Sequence, residues 1–241
     1  MPKWIGKAYS HLWTKFKLQP FYFEEVTELL GKFTPNYLSE LKKYQALFIF
    51  GRAARKKVYR LVPPDLITWA IAQNIDLKWL KQGVYAHLLL CMLRQLKEEF
   101  KDRLLAAGIF GSVARNEARV DSDIDLLLIF ETLPDGIGER IKLLLKLETA
   151  LELQQEFHFL NERAIFPHFS YHALTTAELE ITPLLIDASF DLQILYDTGL
   201  LDRFLFEISK KVRELEIKRI YLSKDQYYLD LNIPFGKVIS L

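Results

Sequence analysis

"IFGSVARNEARVDSDIDLLLIF", residues 109 to 130, sets two aspartates one residue apart inside a run of large apolar side chains. "AAGIF" before it reads as a strand that Gly111 and Ser112 break, "VARNEA" suits one or two helical turns, and "DIDLLLIF" reads as a second strand. Side chains alternate along a strand, so Asp123 and Asp125 share one face while Ile124 and Leu126 point into the core. Two carboxylates left so close repel and raise the pKa of one, whereas a magnesium ion between them offsets both charges. Gly111 lets a ligand approach the backbone, Ser112 supplies a hydroxyl, and the amides that open the helix face an incoming anion. A phosphate cradle beside a metal pair suits nucleotidyl transfer, in which an acceptor oxygen attacks the α-phosphate in line and pyrophosphate leaves.

The stretch "FGSVARNEARVDSDIDLLL" resembles the signature of the nucleotidyltransferase superfamily that includes DNA polymerase beta, in its minimal prokaryotic branch. That signature is an apolar residue, Gly, Gly or Ser, a spacer, then Asp, apolar, Asp or Glu, apolar. Phe110, Gly111, Ser112, ten intervening residues, Asp123, Ile124, Asp125 and Leu126 meet it at every position. Ala114, Arg115, Glu117, Ala118, Arg119 and Ser122 make the spacer similar as well. The resemblance implies transfer of a nucleoside monophosphate from an NTP. Asp123 and Asp125 would be the catalytic residues and the ligands of magnesium or manganese. Gly111, Ser112, Arg115 and Arg119 would hold the nucleotide.

Two departures stand out. Asn116 replaces the usual glycine, which a turn survives because asparagine tolerates left-handed backbone. The family also carries a third carboxylate on a later strand, but "HFSYHALT", residues 168 to 175, offers His172 there and no acid. His172 is a poor magnesium ligand. Asp187, in "PLLIDASFD", is the nearest acidic alternative, in a helical setting that suits a cap or an ion pair.

Outside the signature, charge is segregated. Residues 1–100 hold 16 Lys and Arg against 8 Asp and Glu, a net +8, and residues 101–241 hold 16 against 23, a net −7. A basic half suits a polyanion and an acidic half suits divalent cations. "FYFEEVTELLG" (21–31) reads as a short helix stopped by Gly31. "TPNYLSELKKYQA" follows, with Thr34 as N-cap, Pro35 opening the helix, and Tyr37, Leu38, Leu41 and Tyr44 on one face. "LFIF", "GRAARKK" and "VYRLV" then form a hairpin whose basic tip takes in Arg60.

Over residues 9 to 62 this order resembles a winged helix-turn-helix domain. The resemblance implies that Asn36, Ser39, Lys42 and Lys43 of the recognition helix, with Arg52, Arg55, Lys56 and Lys57 of the wing, face DNA. The alternative is a winged helix used for protein contact.

The remaining stretches complete a mixed α+β or α/β chain: an N-terminal winged helix-turn-helix, then a polymerase-beta-like nucleotidyltransferase fold with a mixed sheet and flanking helices. The expected division is 1–75 for the first domain, a connecting helix at 76–100, and 101–241 for the second. A helix spans 138–157, another follows the threonines at 175–176, and the tail from 218 to 241 alternates like a hairpin. Cys91, the lone cysteine, reads as a buried structural thiol. No apolar run nears the roughly 20 residues of a membrane span, and the start lacks signal-peptide zones, so the expected location is the cytoplasm. The expected partners are NTP, DNA, a second copy of the chain as a homodimer, and a toxin-like protein that an antitoxin-like role would modify or bind. A nucleotide-sensing regulator without catalysis is the other alternative.

Overall fold

The computed structural model describes residues 1–223 and 226–232. In chain order the elements are α1 (Lys3–Phe16), β1 (Phe21–Tyr22), α2 (Phe23–Leu30), α3 (Thr34–Lys43), β2 (Leu47–Ala53), β3 (Lys56–Leu61), α4 (Pro64–Ala72), α5 (Ala86–Phe100), β4 (Leu104–Phe110), α6 (Gly111–Ala114) and β5 (Asp123–Phe130). They continue with α7 (Ile137–Leu147), α8 (Leu151–Asn161), β6 (His168–Thr175), α9 (Pro183–Ser189), β7 (Gln193–Asp197), α10 (Leu200–Glu214), β8 (Lys218–Tyr221) and β9 (Tyr227–Asp230). The chain divides into two compact units, Met1–Glu99 with Leu145–Phe166, and Phe100–Leu144 with Pro167–Leu241. Residues 145–166 thus return to the first unit. Among the described residues no helix is long and apolar enough to cross a membrane.

In the first unit α1, α2 and α3 accompany an antiparallel sheet of order β1-β3-β2, whose β1 lies between α1 and α2. α3 buries Leu38 and Leu41 and turns Asn36, Ser39, Lys42 and Lys43 outward, as its 3.6-residue period requires. Thr34 does not cap it. Thr34 is already helical and buried, and its hydroxyl donates back to the Gly31 carbonyl at 2.8 Å.

Arg60 leaves the basic tip expected for it. Its side chain is 3 % exposed and grips Glu156 with both terminal nitrogens at 2.6 and 2.8 Å, while Nε donates to the Leu18 carbonyl.

The helix expected over 76–100 begins only at Ala86. Gln45 accepts from the Leu77 amide and donates to the Ile75 carbonyl, which satisfies locally the groups a helix would have paired. Gly83 lies so close to Phe48 and Ile49 of β2 that any Cβ would collide there. The helix expected over 138–157 is likewise two helices. The amides of Glu148, Thr149 and Ala150 close tight turns onto Leu145, Lys146 and Leu147, and Ala150 then turns extended. Cys91 is buried, and burial pushes its thiol pKa up, as a structural role implies.

The second unit is built on a mixed sheet of order β6-β5-β4-β7, with β5 antiparallel to β4 and parallel to β6. Ile124, Leu126, Leu128 and Phe130 of β5 are buried on one face. Its other face carries Asp123 and Asp125 and then Leu127 and Ile129, the last two packed in a cluster with Leu185, Ile186, Leu201 and Ile208 of α9 and α10. One face of one strand therefore passes from solvent to core within eight residues. The terminal hairpin is present as β8 and β9, and residues 233–241 of that stretch lie outside the described residues.

Candidate functional site

The β4–α6 junction and the start of β5 meet at a cleft of about 390 Å³, lined by Phe110, Gly111, Ser112, Arg115, Ser122, Asp123, Asp125, Asp187, Arg219 and Tyr227. The close approach across the β4–β5 ladder explains Gly111. Phe110 pairs with Asp125, so the next residue, at φ +73°, faces the Asp125 carboxylate, and a Cβ there would run into Oδ2. Asn116 has φ +59°, the left-handed backbone its side chain tolerates. Ser122 Oγ accepts from the Arg119 amide at 2.8 Å and closes the spacer just before the first aspartate.

Asp123 is exposed and Asp125 half-buried. Burial raises the Asp125 pKa and the neighbouring Asp123 charge adds to it, against a hydrogen bond from Ser170 and the influence of His172 and Arg115. A carboxyl held partly desolvated beside a like charge favours a cation close by. The donor set around the pair consists of oxygens, the two carboxylates with the Ser112 and Ser170 hydroxyls, and oxygen sets suit hard divalent cations. Among the described residues no group of three or more His, Cys, Asp or Glu stands together as a metal site.

The third position is where the structure departs furthest from expectation. In the parallel β5–β6 register Asp125 pairs with Ser170, and His172 pairs with Leu127 one step deeper. His172 lies 3.5 Å from Ser170 Oγ and packs against the Phe110 ring; it lines a separate apolar cavity with Tyr171, Leu174 and Leu185. Asp187 does line the cleft, but its carboxylate is taken. Arg219 Nε donates to Oδ1 at 2.7 Å and the Tyr227 hydroxyl donates to Oδ2 at 2.9 Å.

Arg115 lines the cleft and donates to Asp191 at 2.6 Å and Glu117 at 3.2 Å. Arg119 is exposed and does not line the cleft. Ser170 sits two residues before His172, a period of two that the strand pattern contains. Arg219 and Tyr227 lie about a hundred residues from the signature, and only folding brings the last hairpin to it.

Residues 94–181 match the family model described as "Polymerase beta, Nucleotidyltransferase". This stretch holds β4, α6, β5 and β6, and so Asp123 and Asp125. No curated protein matches the chain. A solved crystal structure of a toxin-antitoxin with AMP-PNP is similar at 19 % identity over 52 % of this chain and 87 % of that one, with a TM-score of 0.35. A mutant of the toxin-antitoxin MntA-HpeT is similar at 18 % identity over 52 % and 85 %, with a TM-score of 0.35.

In the first unit, Asn36, Ser39, Lys42 and Lys43 and the hairpin residues Arg52, Arg55, Lys56 and Lys57 are all exposed. Ser39, Lys42, Lys43 and Arg52 line one groove of about 670 Å³, which Lys78 and Lys81 also line. Lys56 pairs with Glu24 at 2.7 Å.

Proposed function

We propose that the second unit transfers a nucleoside monophosphate from an NTP to an acceptor, and that the first unit binds DNA. The observation that carries the transfer reading is the meeting of Asp123, Asp125, Gly111 and Ser112 at one cleft, with Gly111 shaped by the Asp125 carboxylate itself. Asp123 and Asp125 would hold a divalent cation, magnesium or manganese. Bound there, the cation supplies charge neutralisation of the triphosphate. Gly111 and Ser112 receive phosphate oxygens at the strand end, and Arg115 adds a fixed positive charge. The acceptor hydroxyl oxygen bonds to the α-phosphorus as the bond from that phosphorus to the α–β bridging oxygen breaks, pyrophosphate departs with the bridging oxygen, and the hydroxyl proton passes to solvent. Labelled NTP, a panel of acceptors and purified protein test this. Transfer that Asp123→Ala and Asp125→Ala abolish is expected, and no transfer by wild type would falsify the reading.

A second reading keeps the nucleotide and drops the chemistry. Ser170, which carries no charge, is the residue that pairs with Asp125 on β6, and the Asp187 carboxylate is engaged by Arg219 and Tyr227. A nucleotide-sensing regulator fits those two facts, and tight NTP binding without turnover against any acceptor decides for it.

DNA binding is supported by the order α1, β1, α2, α3, β2, β3 with its three-stranded antiparallel sheet, which suits a winged helix, and by the exposed cations of α3 and the β2–β3 hairpin. A homodimer would let two such helices read paired half-sites, and light scattering measures it. Binding that ignores salt, and ignores neutralisation of Arg52, Arg55, Lys56 and Lys57, overturns the DNA reading.

A further inference from the structure

Arg219, from β8, is 6 % exposed and still lines the cleft. It is fastened by three bonds: Nε to Asp187 Oδ1 at 2.7 Å, Nη2 to the Asp187 carbonyl, and Nη1 to Asp191 Oδ2 at 3.1 Å. Arg115 donates to that same Asp191 oxygen at 2.6 Å. One carboxylate oxygen thus holds two guanidinium groups together, both at the cleft wall. Tyr227, from β9, donates to Asp187 Oδ2 and lays its ring 4.6 Å from the Arg219 guanidinium and 5.8 Å from that of Arg115.

Packing two cations side by side is a poor way to gain stability. Buried ion pairs barely repay their desolvation, and apolar side chains of similar volume do as well or better. Asp191, 9 % exposed, accepts from both guanidinium groups through Oδ2, so one carboxylate is shared between two cations. A guanidinium has five N–H donors, and the three bonds of Arg219 leave two. Two guanidinium groups bonded to one carboxylate oxygen at the wall of a cleft, with donors left over, suit the oxygens of a phosphate.

We infer that the β8–β9 hairpin completes the nucleotide site, with Arg219 beside Arg115 seating the β- and γ-phosphates of a bound NTP. Asp187 and Asp191 are positioning residues that aim the two guanidinium groups, and Tyr227 packs its ring against them. The inference rests on the nucleotidyl-transfer reading above and adds to it the part of the nucleotide this hairpin reads.

The test is calorimetric titration of the full chain, with magnesium, using ATP against AMP and the three other NTPs against their monophosphates. Arg219→Gln is expected to weaken NTP binding at least about tenfold and to leave monophosphate binding within about twofold, because a charge-assisted bond is lost only where phosphates β and γ exist. Equal losses for both ligands, or none, overturn the inference. Asp191→Asn should give the same selective loss in smaller measure, which a merely structural role would not.

Hydrogen exchange on wild type keeps the test independent of any variant's folding. The amides of β8 and β9 are expected to gain protection with NTP and not with monophosphate, and equal protection by both overturns the seat. A wild type that binds no NTP removes the nucleotidyl-transfer reading itself, while one that binds NTP and monophosphate equally removes only the role of the hairpin.

Discussion

Arg60 with Glu156 in the first unit, and Asp123 with Asp125 in the second, are pairs of charges at the border of an apolar core. The first pair is complete. Arg60 uses its fork on Glu156 and its Nε on a carbonyl, stacks on Phe159, and has His87 behind it donating from Nε2 to the Leu61 carbonyl at 2.6 Å. The second pair is incomplete, two like charges half-open to solvent with one serine hydroxyl bonded to one of them. A satisfied buried cluster can do no more than hold the chain, while an unsatisfied one at a cleft holds something else. The difference is legible in charge balance alone, and experiments can press on it from either side.

The largest effect is expected at the open pair. Asp125→Ala or Asp123→Ala should lower nucleotidyl transfer about a thousandfold, the scale of a lost transition-state charge contact, read with labelled NTP. Gly111→Ala should do the same by forcing Asp125 aside. Stability should move the other way. Folding raises the Asp125 pKa, so the folded state holds the proton more tightly than the unfolded one, and stability drains away as pH rises through the carboxylate range. Asp125→Asn should therefore melt higher than wild type at neutral pH and lose that advantage in acid. A divalent cation should raise the wild-type melting point and leave the variant's unmoved.

At the closed pair, truncation leaves a buried charge alone. Arg60→Ala should cost about 3–5 kcal/mol of stability, measured by denaturant unfolding, with no selective effect on nucleotide binding. Acid should find the same cluster. Burial alone would raise the Glu156 pKa, but His87 and Arg60 hold it down to about 2, so its stabilisation is present above the unfolded value of 4.5 and is lost as pH falls towards about 2. Burial, with Arg60 beside it, lowers the His87 pKa, so its stabilisation is present above 6.5 and drains as pH falls below it. Melting points across that range should decline in two stages, and Glu156→Gln should remove the lower one.

Neutralising Arg52, Arg55, Lys56 and Lys57 together is a milder change, because exposed cations add little to folding. It should flatten the log–log salt dependence of DNA binding by up to about 3 to 4 and leave transfer intact, as gel-shift titrations at several salt concentrations would show. Smallest of all, Asn116→Gly should alter stability by no more than about 0.5 kcal/mol, since asparagine already holds the left-handed turn at φ +59°.

What could be read from the chain in advance follows what local chemistry controls. The two strands around the signature, the shared face of Asp123 and Asp125, the turn at Asn116 and the buried face of α3 all follow from spacing, because side-chain direction in a strand or helix is set by the backbone period. Periodicity extends single helices over 76–100 and 138–157, because it cannot see that Gln45 satisfies the 75–77 backbone or that tight turns end α7. Arg60 looked like its basic neighbours, and only Glu156, 96 residues away, makes it a core residue.

The amino-acid sequence by itself determined the carboxylate pair, the glycine that ends the strand beside it, and a basic face on α3 and its hairpin. Each rests on residues within a few positions of one another. Tertiary structure alone decided that Ser170 faces Asp125, that Asp187 is spoken for, and that Arg219 and Tyr227 from the last hairpin stand at a cleft built by residues 110–125. Those partners are far apart along the chain, and burial of shared apolar surface, which has no memory of sequence distance, is what brings them together.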